Sequence, residues 1–297
     1  MNNNISSYVV GVDVGGTFTD IFFLNETTGD CKVAKVQTTL NNQAEGFLAG
    51  ILKNVDQVAD ITTVVHGTTV GTNALLERKG AKTGIITSVG FRDVLEMRRR
   101  DRPQTWGLWG SFQPVVPRNL RLEVAERTLA DGTVQTTVNQ EEVKHAAQEL
   151  LAAGVESVSI VFINSYANPE NEQIALKIVK EIWPSEFVEI SANILPEIRE
   201  FERTSTTTLN AYLQPTIGSY LAKIEVGLKD EGFKGELLIV QSNGGVMTVD
   251  TARNLPIRTA LSGPAAGVIA SAYIACEAGF PHVITCDMGG TSFDVSL

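Results

Sequence analysis

Two short strings hold the residues best suited to chemistry. Asp13-Val14-Gly15-Gly16-Thr17-Phe18-Thr19 is followed by Asp20, and near the other end Asp287-Met288-Gly289-Gly290-Thr291-Ser292-Phe293 is followed by Asp294. An apolar run enters each string and another leaves it (Val9 to Val12 and Ile21 to Leu24; Val283 to Thr285 and Val295 onward), so each glycine pair is expected at the tip of a tight β-hairpin. Glycines at a tip tolerate positive φ and let backbone N–H groups approach an anion closely. The hydroxyls of Thr17 and Thr291 add donors for a phosphate oxygen. Asp13 and Asp287, at the strand ends beside that anion, suit a phosphate-bound Mg2+ ion, as hard oxygen ligands or as partners of its water shell. One such string is a plain hairpin about as often as not. Two copies, matching at Asp, Gly, Gly, Thr and the final Asp, argue for a paired phosphate clamp; Asp20 and Asp294 serve either the site or the hairpins.

The chain that must position these residues has 297 of them, enough for one large or two ordinary domains. Its 43% hydrophobic and 20% charged content is that of a globular protein. A net charge of −10 argues against a nucleic-acid partner, since only Arg98-Arg99-Arg100 forms a basic run, and it disfavours an anionic membrane surface. Met1 to Ile5 does not read as a secretory leader, and no stretch of about 18 apolar residues is present, so the cytoplasm is the expected compartment. Cys31, Cys276 and Cys286, odd in number and without C-x-x-C spacing, suggest reduced, mostly buried thiols. His145 falls in an amphipathic helix and His282 precedes a strand, whereas His66 stands in a Gly/Thr-rich loop.

Strand patterns at Tyr8 to Val14, Phe18 to Leu24 and Cys31 to Gln37 predict an opening meander, followed by a helix from Asn42 to Val55. A buried strand at Ile61 to Val65, a helix from Thr72 to Lys79 ended by Gly80, and a strand at Thr83 to Thr87 complete a mixed sheet covered by helices, hence α/β. A helix is read at Phe91 to Arg100; Asp101 to Pro117 is irregular and rich in Pro, Trp and Gly, the kind of long loop that tends to carry function. Arg121 to Thr128 and Gly132 to Val138 read as a hairpin around Asp131-Gly132. Helix Gln140 to Ala153, strand Val155 to Phe162, helix Asn171 to Ile182 and strand Phe187 to Ile190 suggest a second α/β unit inserted into the first. Pro196 to Glu231 is helical with an interruption at Pro215, and strand Glu236 to Gln241 leads into the turn Ser242-Asn243-Gly244-Gly245. Leu261 to Gly267 opens a small-residue helix, Val268 to Ala278. The expected division is 1–89, an inserted segment at 90–195, a helical return at 196–280, and the start of a second lobe at 281–297. Because Val295-Ser296-Leu297 begins a return strand, the chain is expected to be a fragment that binds nucleotide weakly when alone.

Paired D-x-G-G-T hairpins resemble the phosphate motifs of the actin, sugar-kinase and heat-shock chaperone superfamily. That resemblance implies an actin-like (ribonuclease H-like) ATPase lobe with a mixed sheet, an inserted α/β subdomain, a truncated second lobe, and ATP with Mg2+ held between two phosphate loops. Gly263-Pro264-Ala265-Ala266 with Asp287 to Ser296 is similar to a chaperone stretch, E-P-T-A-A followed by D-L-G-G-G-T-F-D-V-S. Gly263 replaces the glutamate there, so that hydrolytic arrangement does not carry over. His66-Gly67-Thr68-Thr69-Val70-Gly71-Thr72-Asn73, Gly90-Phe91-Arg92-Asp93, Glu200-Phe201-Glu202-Arg203-Thr204, Gln241-Ser242-Asn243-Gly244-Gly245 and Ser262-Gly263-Pro264-Ala265-Ala266-Gly267, in this order, closely resemble the hydantoinase A family.

The family resemblance implies an ATP-dependent cyclic amide hydrolase of hydantoinase or 5-oxoprolinase type, whose substrate carbonyl oxygen attacks the γ-phosphate of ATP. It also implies a B-type partner subunit, an oligomeric complete enzyme and room for an additional transition metal. The alternatives are a ketone carboxylase subunit, which adds bicarbonate instead of water, and a non-enzymatic nucleotide-dependent binding module. On this reading Gly15, Gly16 and Thr17 hold one side of the phosphates, Gly289, Gly290 and Thr291 the other, and Asp13 and Asp287 hold hydrated Mg2+. His66 follows a buried strand, where it acts as a base, binds metal, orients substrate or simply caps a turn. Arg98 to Arg102 form an anion clamp or a solvated charge run, Arg203 an i,i+3 ion pair within its helix, and Ser242 to Gly245 a turn or a ligand contact.

Overall fold

The computed structural model describes residues 7–39, 42–55, 57–99, 104, 106, 110, 112–288 and 293–297. They form two compact units, one from Met1–Glu77 with Thr216–Leu297 and one from Arg78–Pro215. The first unit opens with strands β1 (Tyr8–Val14), β2 (Phe18–Asn25) and β3 (Cys31–Gln37), helix α1 (Gln43–Leu52), β4 (Ile61–Thr68) and α2 (Val70–Leu76). The second contains β5 (Thr83–Ser88), α3 (Val94–Met97), β6 (Arg121–Val124), β7 (Arg127–Thr128), β8 (Val134–Thr136), α4 (Gln140–Ala152), β9 (Ser157–Val161), α5 (Glu170–Ile182), β10 (Val188–Ile190) and α6 (Ser191–Ile194). Helix α7 (Glu200–Asp230) leads back to the first unit, which ends with β11 (Glu236–Val240), β12 (Val246–Thr248), α8 (Val249–Asn254), α9 (Ser262–Glu277), β13 (Thr285–Met288) and β14 (Phe293–Ser296). The fold is α/β.

In the first unit a mixed sheet runs β12-β11-β4-β1-β2-β3. Its β1–β2–β3 part is the predicted antiparallel meander, while β1, β4 and β11 run parallel. Alternation assigns the faces: Val10, Val12 and Val14 of β1, with Ile21 and Phe23 of β2, are buried, and Asp13 falls on the other face. Phe47 and Ile51 of α1 are fully enclosed, each worth roughly 1.5–3 kcal/mol of burial.

The second unit has a parallel sheet ordered β10-β9-β5-β6. Every residue of β5 and β9 is buried, as expected of central parallel strands covered on both faces. Ile85, Ile86, Val158 and Ile160 share a core with Val143 and Leu150 of α4 and Val179 of α5. Asn139 caps α4 by accepting from the Glu141 and Glu142 N–H groups.

Several expectations are corrected. Arg121 to Val124 does not enter the predicted hairpin; β6 pairs in parallel with β5, and only Arg127–Thr128 pairs with β8. The helix expected at Phe91 to Arg100 shrinks to Val94–Met97, with Arg100 outside the described residues. Pro215 does not interrupt α7. Its missing N–H and ring clash cost about 3 kcal/mol, which burial of Ala211, Leu213, Ile217, Leu221 and Ile224 along the helix offsets. Arg78, rather than Gly80, takes the left-handed conformation after α2 (φ 55°). Gly80 is required because a Cβ there would sit 2.2 Å from the Tyr212 ring. The three cysteines are free, as expected, but exposed rather than buried.

Candidate active site

Because β1, β4 and β11 are parallel, their carboxyl ends share one edge of the sheet, where α/β folds gather ligands. Asp13 stands at that edge, paired in register with Gly67 of β4 and with Asp20 of β2. Gly67 keeps the neighbouring strand clear of the carboxylate, since a Cβ there would lie 3.2 Å from Asp13 Oδ1. The first turn of α9 closes on the same group, with a Cβ at Gly263 placed 3.9 Å from Asp13 Oδ1. Hydroxyls tie these segments together. Thr69 Oγ1 donates to the Val14 carbonyl (3.0 Å), Ser262 Oγ to the Thr68 carbonyl (3.3 Å), and the Leu261 N–H to Thr72 Oγ1 (2.9 Å).

At the tip of the β1–β2 hairpin the Gly15 N–H donates to the Phe18 carbonyl at 3.0 Å. A Cβ on Gly15 would sit 3.0 Å from that same oxygen, so close approach, rather than the expected positive φ, is what calls for glycine. Thr38 anchors the tip: its N–H donates to the Thr17 carbonyl (2.9 Å), and its hydroxyl donates to the Gly15 carbonyl (3.0 Å). Strands β13 and β14 repeat the first hairpin's register, Asp287 opposite Asp294 as Asp13 is opposite Asp20. Its tip, including Gly289, Gly290 and Thr291, lies outside the described residues.

The carboxyl of Asp13 is raised above the ordinary carboxylate range, first because surrounding protein strips part of its hydration although the side chain keeps solvent access, then because the charges of Asp20 and Asp287 oppose its own. Asp13 and Asp287 are therefore within electrostatic reach of each other. Asp20 is partly neutralised by Lys35, 3.0 Å away in an exposed pair.

His66 is fully buried. Its Nδ1 lies 3.2 Å from the Val12 carbonyl, its Nε2 2.8 Å from the Tyr220 hydroxyl, and Phe47 packs edge-on at 4.8 Å between centroids. With both ring nitrogens engaged and no exposed surface, this geometry suits orienting neighbours, not touching substrate or metal. Burial lowers its pKa from 6.5 to about 4. The unfolded chain then takes up the proton first, so the contribution to stability is intact above pH 6.5 and lost as the pH falls towards 4. Wild type is expected to lose roughly 3 kcal/mol more than His66→Gln across that window, read from denaturant midpoints. Parallel acid profiles for the two proteins would exclude this.

The remaining candidates resolve into structure. Arg99 pairs with Glu202, the Arg98 guanidinium lies 3.6 Å from the Phe112 ring centroid, and Arg100 to Arg102 lie outside the described residues. Arg203 pairs with Glu200 at i,i+3 spacing as expected; it is wholly enclosed and also donates to Ser165, Ser191 and the Phe162 carbonyl. Ser242 to Gly245 is a hairpin turn between β11 and β12, with Asn243 Oδ1 accepting from the Gly245 N–H (2.9 Å) and Gly244 at φ 83°. Thr38 and Tyr220 were not foreseen. Each is far in sequence from the residue it holds, and no local pattern marks it. No group of three His, Cys, Asp or Glu side chains converges as a direct metal shell among the described residues. No helix among them is long and apolar enough to cross a membrane.

A family model for the hydantoinase/oxoprolinase N-terminal region matches residues 9–183, and a hydantoinase/oxoprolinase model matches residues 203–297. An uncharacterised protein of Methanocaldococcus jannaschii is 38% identical over 296 residues, 98% of this chain and 44% of its own length. Caprolactamase subunit alpha of Pseudomonas jessenii is 34% identical over 301 residues, 98% of this chain and 43% of its own. A nucleotide-free structure of acetone carboxylase, solved in work on ATP-dependent acetone carboxylation, superimposes with a TM-score of 0.88 at 32% identity, over 98% of this chain and 44% of that one. The chain thus spans less than half the length of these relatives.

Proposed function

The chain belongs to the hydantoinase/oxoprolinase family, and we propose that it is the ATP-using part of an enzyme that activates a cyclic amide by phosphorylating its carbonyl oxygen. The carrying observation is the pair of hairpins in matching register whose leading carboxylates, Asp13 and Asp287, lie within reach of each other's charge. A carboxylate raised in proton affinity beside other acidic groups suits a cation, and no three-ligand shell converges among the described residues. Asp13 and Asp287 would hold hydrated Mg2+, which when bound would neutralise the phosphate charge. Gly15, Gly16 and Thr17 cradle one side of the β- and γ-phosphates, and Gly289, Gly290 and Thr291 the other. The two hairpins are read as the phosphate loops of an actin-like fold, the first unit's mixed sheet as its first lobe and the second unit as the insertion.

In the reaction, the amide oxygen attacks the γ-phosphorus and the bond to the β-phosphate oxygen breaks, releasing ADP. Water then adds to the activated carbon, the ring C–N bond opens as nitrogen takes a proton, and a second water cleaves the acyl phosphate that remains, releasing carboxylate and phosphate. Positioning and charge neutralisation supply most of the acceleration. A B-type partner subunit completes the site; the similar caprolactamase chain is itself one subunit.

A second reading is favoured by the superposition on acetone carboxylase: a ketone phosphorylated as its enol, which then attacks carbonate. One assay separates the two. The complete protein with its partner subunit is expected to release ADP from Mg-ATP on addition of hydantoin, 5-oxoproline or caprolactam without bicarbonate. Release that requires acetone or acetophenone plus bicarbonate would establish the carboxylase instead, and release with none of these would exclude both.

A further inference from the structure

We infer that Tyr220 is a positioning residue for the ATP reaction, fixing β4 against β1 beside Asp13 through a directional pair of hydrogen bonds that runs through His66 to the Val12 carbonyl. The inference rests on the function proposed above. It starts from one atom whose role is unambiguous. The Val12 carbonyl only accepts, so His66 Nδ1, 3.2 Å away, carries the proton. In the neutral ring Nε2 is then an acceptor, and the Tyr220 hydroxyl 2.8 Å away donates to it. Both donors, the Tyr220 hydroxyl and His66 Nδ1–H, point the same way, from α7 through β4 to β1. Beyond Gly67 on the same strand, Thr68 Oγ1 accepts from the Val70 N–H at 3.2 Å at the entry to α2.

Its surroundings make the chain stiff. His66 and Thr68 are essentially inaccessible and Tyr220 is 8% exposed, so water does not replace a missing partner. The strand end it fixes leads into the turn that carries Thr69 to the Val14 carbonyl, the Thr68 carbonyl to Ser262 and Thr72 to Leu261. Gly67, one residue before Thr68, abuts Asp13. One phenolic hydroxyl thereby sets β4, the tail of β1 and the start of α9 around the carboxylate. Tyr220 itself touches neither phosphate nor substrate in this scheme. Loosening it misplaces the reacting groups, and small misplacements cost rate more than they cost ground-state binding, which is spread over two loops.

The test is a double-mutant cycle in the complete enzyme with its partner subunit, reading ADP release from Mg-ATP with the substrate selected by the assay above. Tyr220→Phe and His66→Leu are each expected to lower kcat by roughly 10- to 100-fold with KM for ATP changed less than about threefold. The double variant is expected to match either single one, because both break one chain. Losses that multiply, a rise in KM at constant kcat, or kcat within twofold of wild type in Tyr220→Phe would overturn the assignment. Should one single variant fail to fold, the kcat and KM of the other decide. If Asp13→Ala abolishes turnover while Tyr220→Phe does not affect it, only the positioning role fails; if Asp13→Ala is also fully active, the ATP site itself is wrong.

Discussion

Asp13→Ala is expected to lower ATP turnover of the complete enzyme by about a thousandfold or more without unfolding it, a loss of at least about 4 kcal/mol of transition-state stabilisation. Two features separate the catalytic from the structural effect. The side chain lies on the face of β1 opposite Val10, Val12 and Val14, so its removal leaves the core untouched. Its neighbours Asp20 and Asp287 repel it, so the alanine variant relieves strain between like charges and is expected to melt at or slightly above the wild-type temperature. Asp13→Asn, which keeps the shape and loses the charge, should be nearly as inactive. ADP release and a thermal melt on the same preparations decide the matter, and wild-type turnover in either variant would remove Asp13 from the mechanism.

The largest expected loss of stability falls on Arg203→Met, about 3–5 kcal/mol. Arg203 is fully enclosed, and its guanidinium serves Glu200, Ser165, Ser191 and the Phe162 carbonyl at the end of β9. Glu172, equally buried, shares Ser191 and accepts from the Phe162 and Ala192 N–H groups; burial pushes its carboxyl above the ordinary range. Methionine fills similar space but leaves Glu200 uncompensated and the hydroxyls without a donor. Arg203→Lys should recover only part of the loss, because one ammonium cannot reproduce the planar fork that reaches several acceptors. Urea unfolding measures both variants. A loss below about 1 kcal/mol for Arg203→Met would show that the network reorganises around the gap.

Much of this molecule was legible in one dimension because the signals are local. The opening meander, β4, β5, α4, α5 and both D-x-G-G-T hairpins follow from alternation, helical spacing and glycine placement, each set by neighbours a few residues apart. Where long-range packing outweighed local preference, the reading failed. Pro215 sits within an unbroken helix because buried side chains on both sides of it outweigh one lost backbone bond. Strand β6 leaves its expected hairpin for β5, since a parallel partner separated by a long loop carries no signature in the strand itself.

The candidate site divides in the same way. Which residues are proposed to bear the chemistry, Asp13 and Asp287 with their Gly-Gly-Thr tips, is read from the sequence through an internal repeat, and so is the family they resemble. That the Asp13 and Asp287 carboxylates feel one another's charge, that Gly67 and Gly263 make room for one of them, and that His66 is enclosed with its proton fixed by Val12, only the tertiary structure decided. The reason is physical: residue type and spacing specify what a side chain is able to do, whereas charge coupling, desolvation and hydrogen-bond direction depend on distances between segments that the chain brings together only by folding.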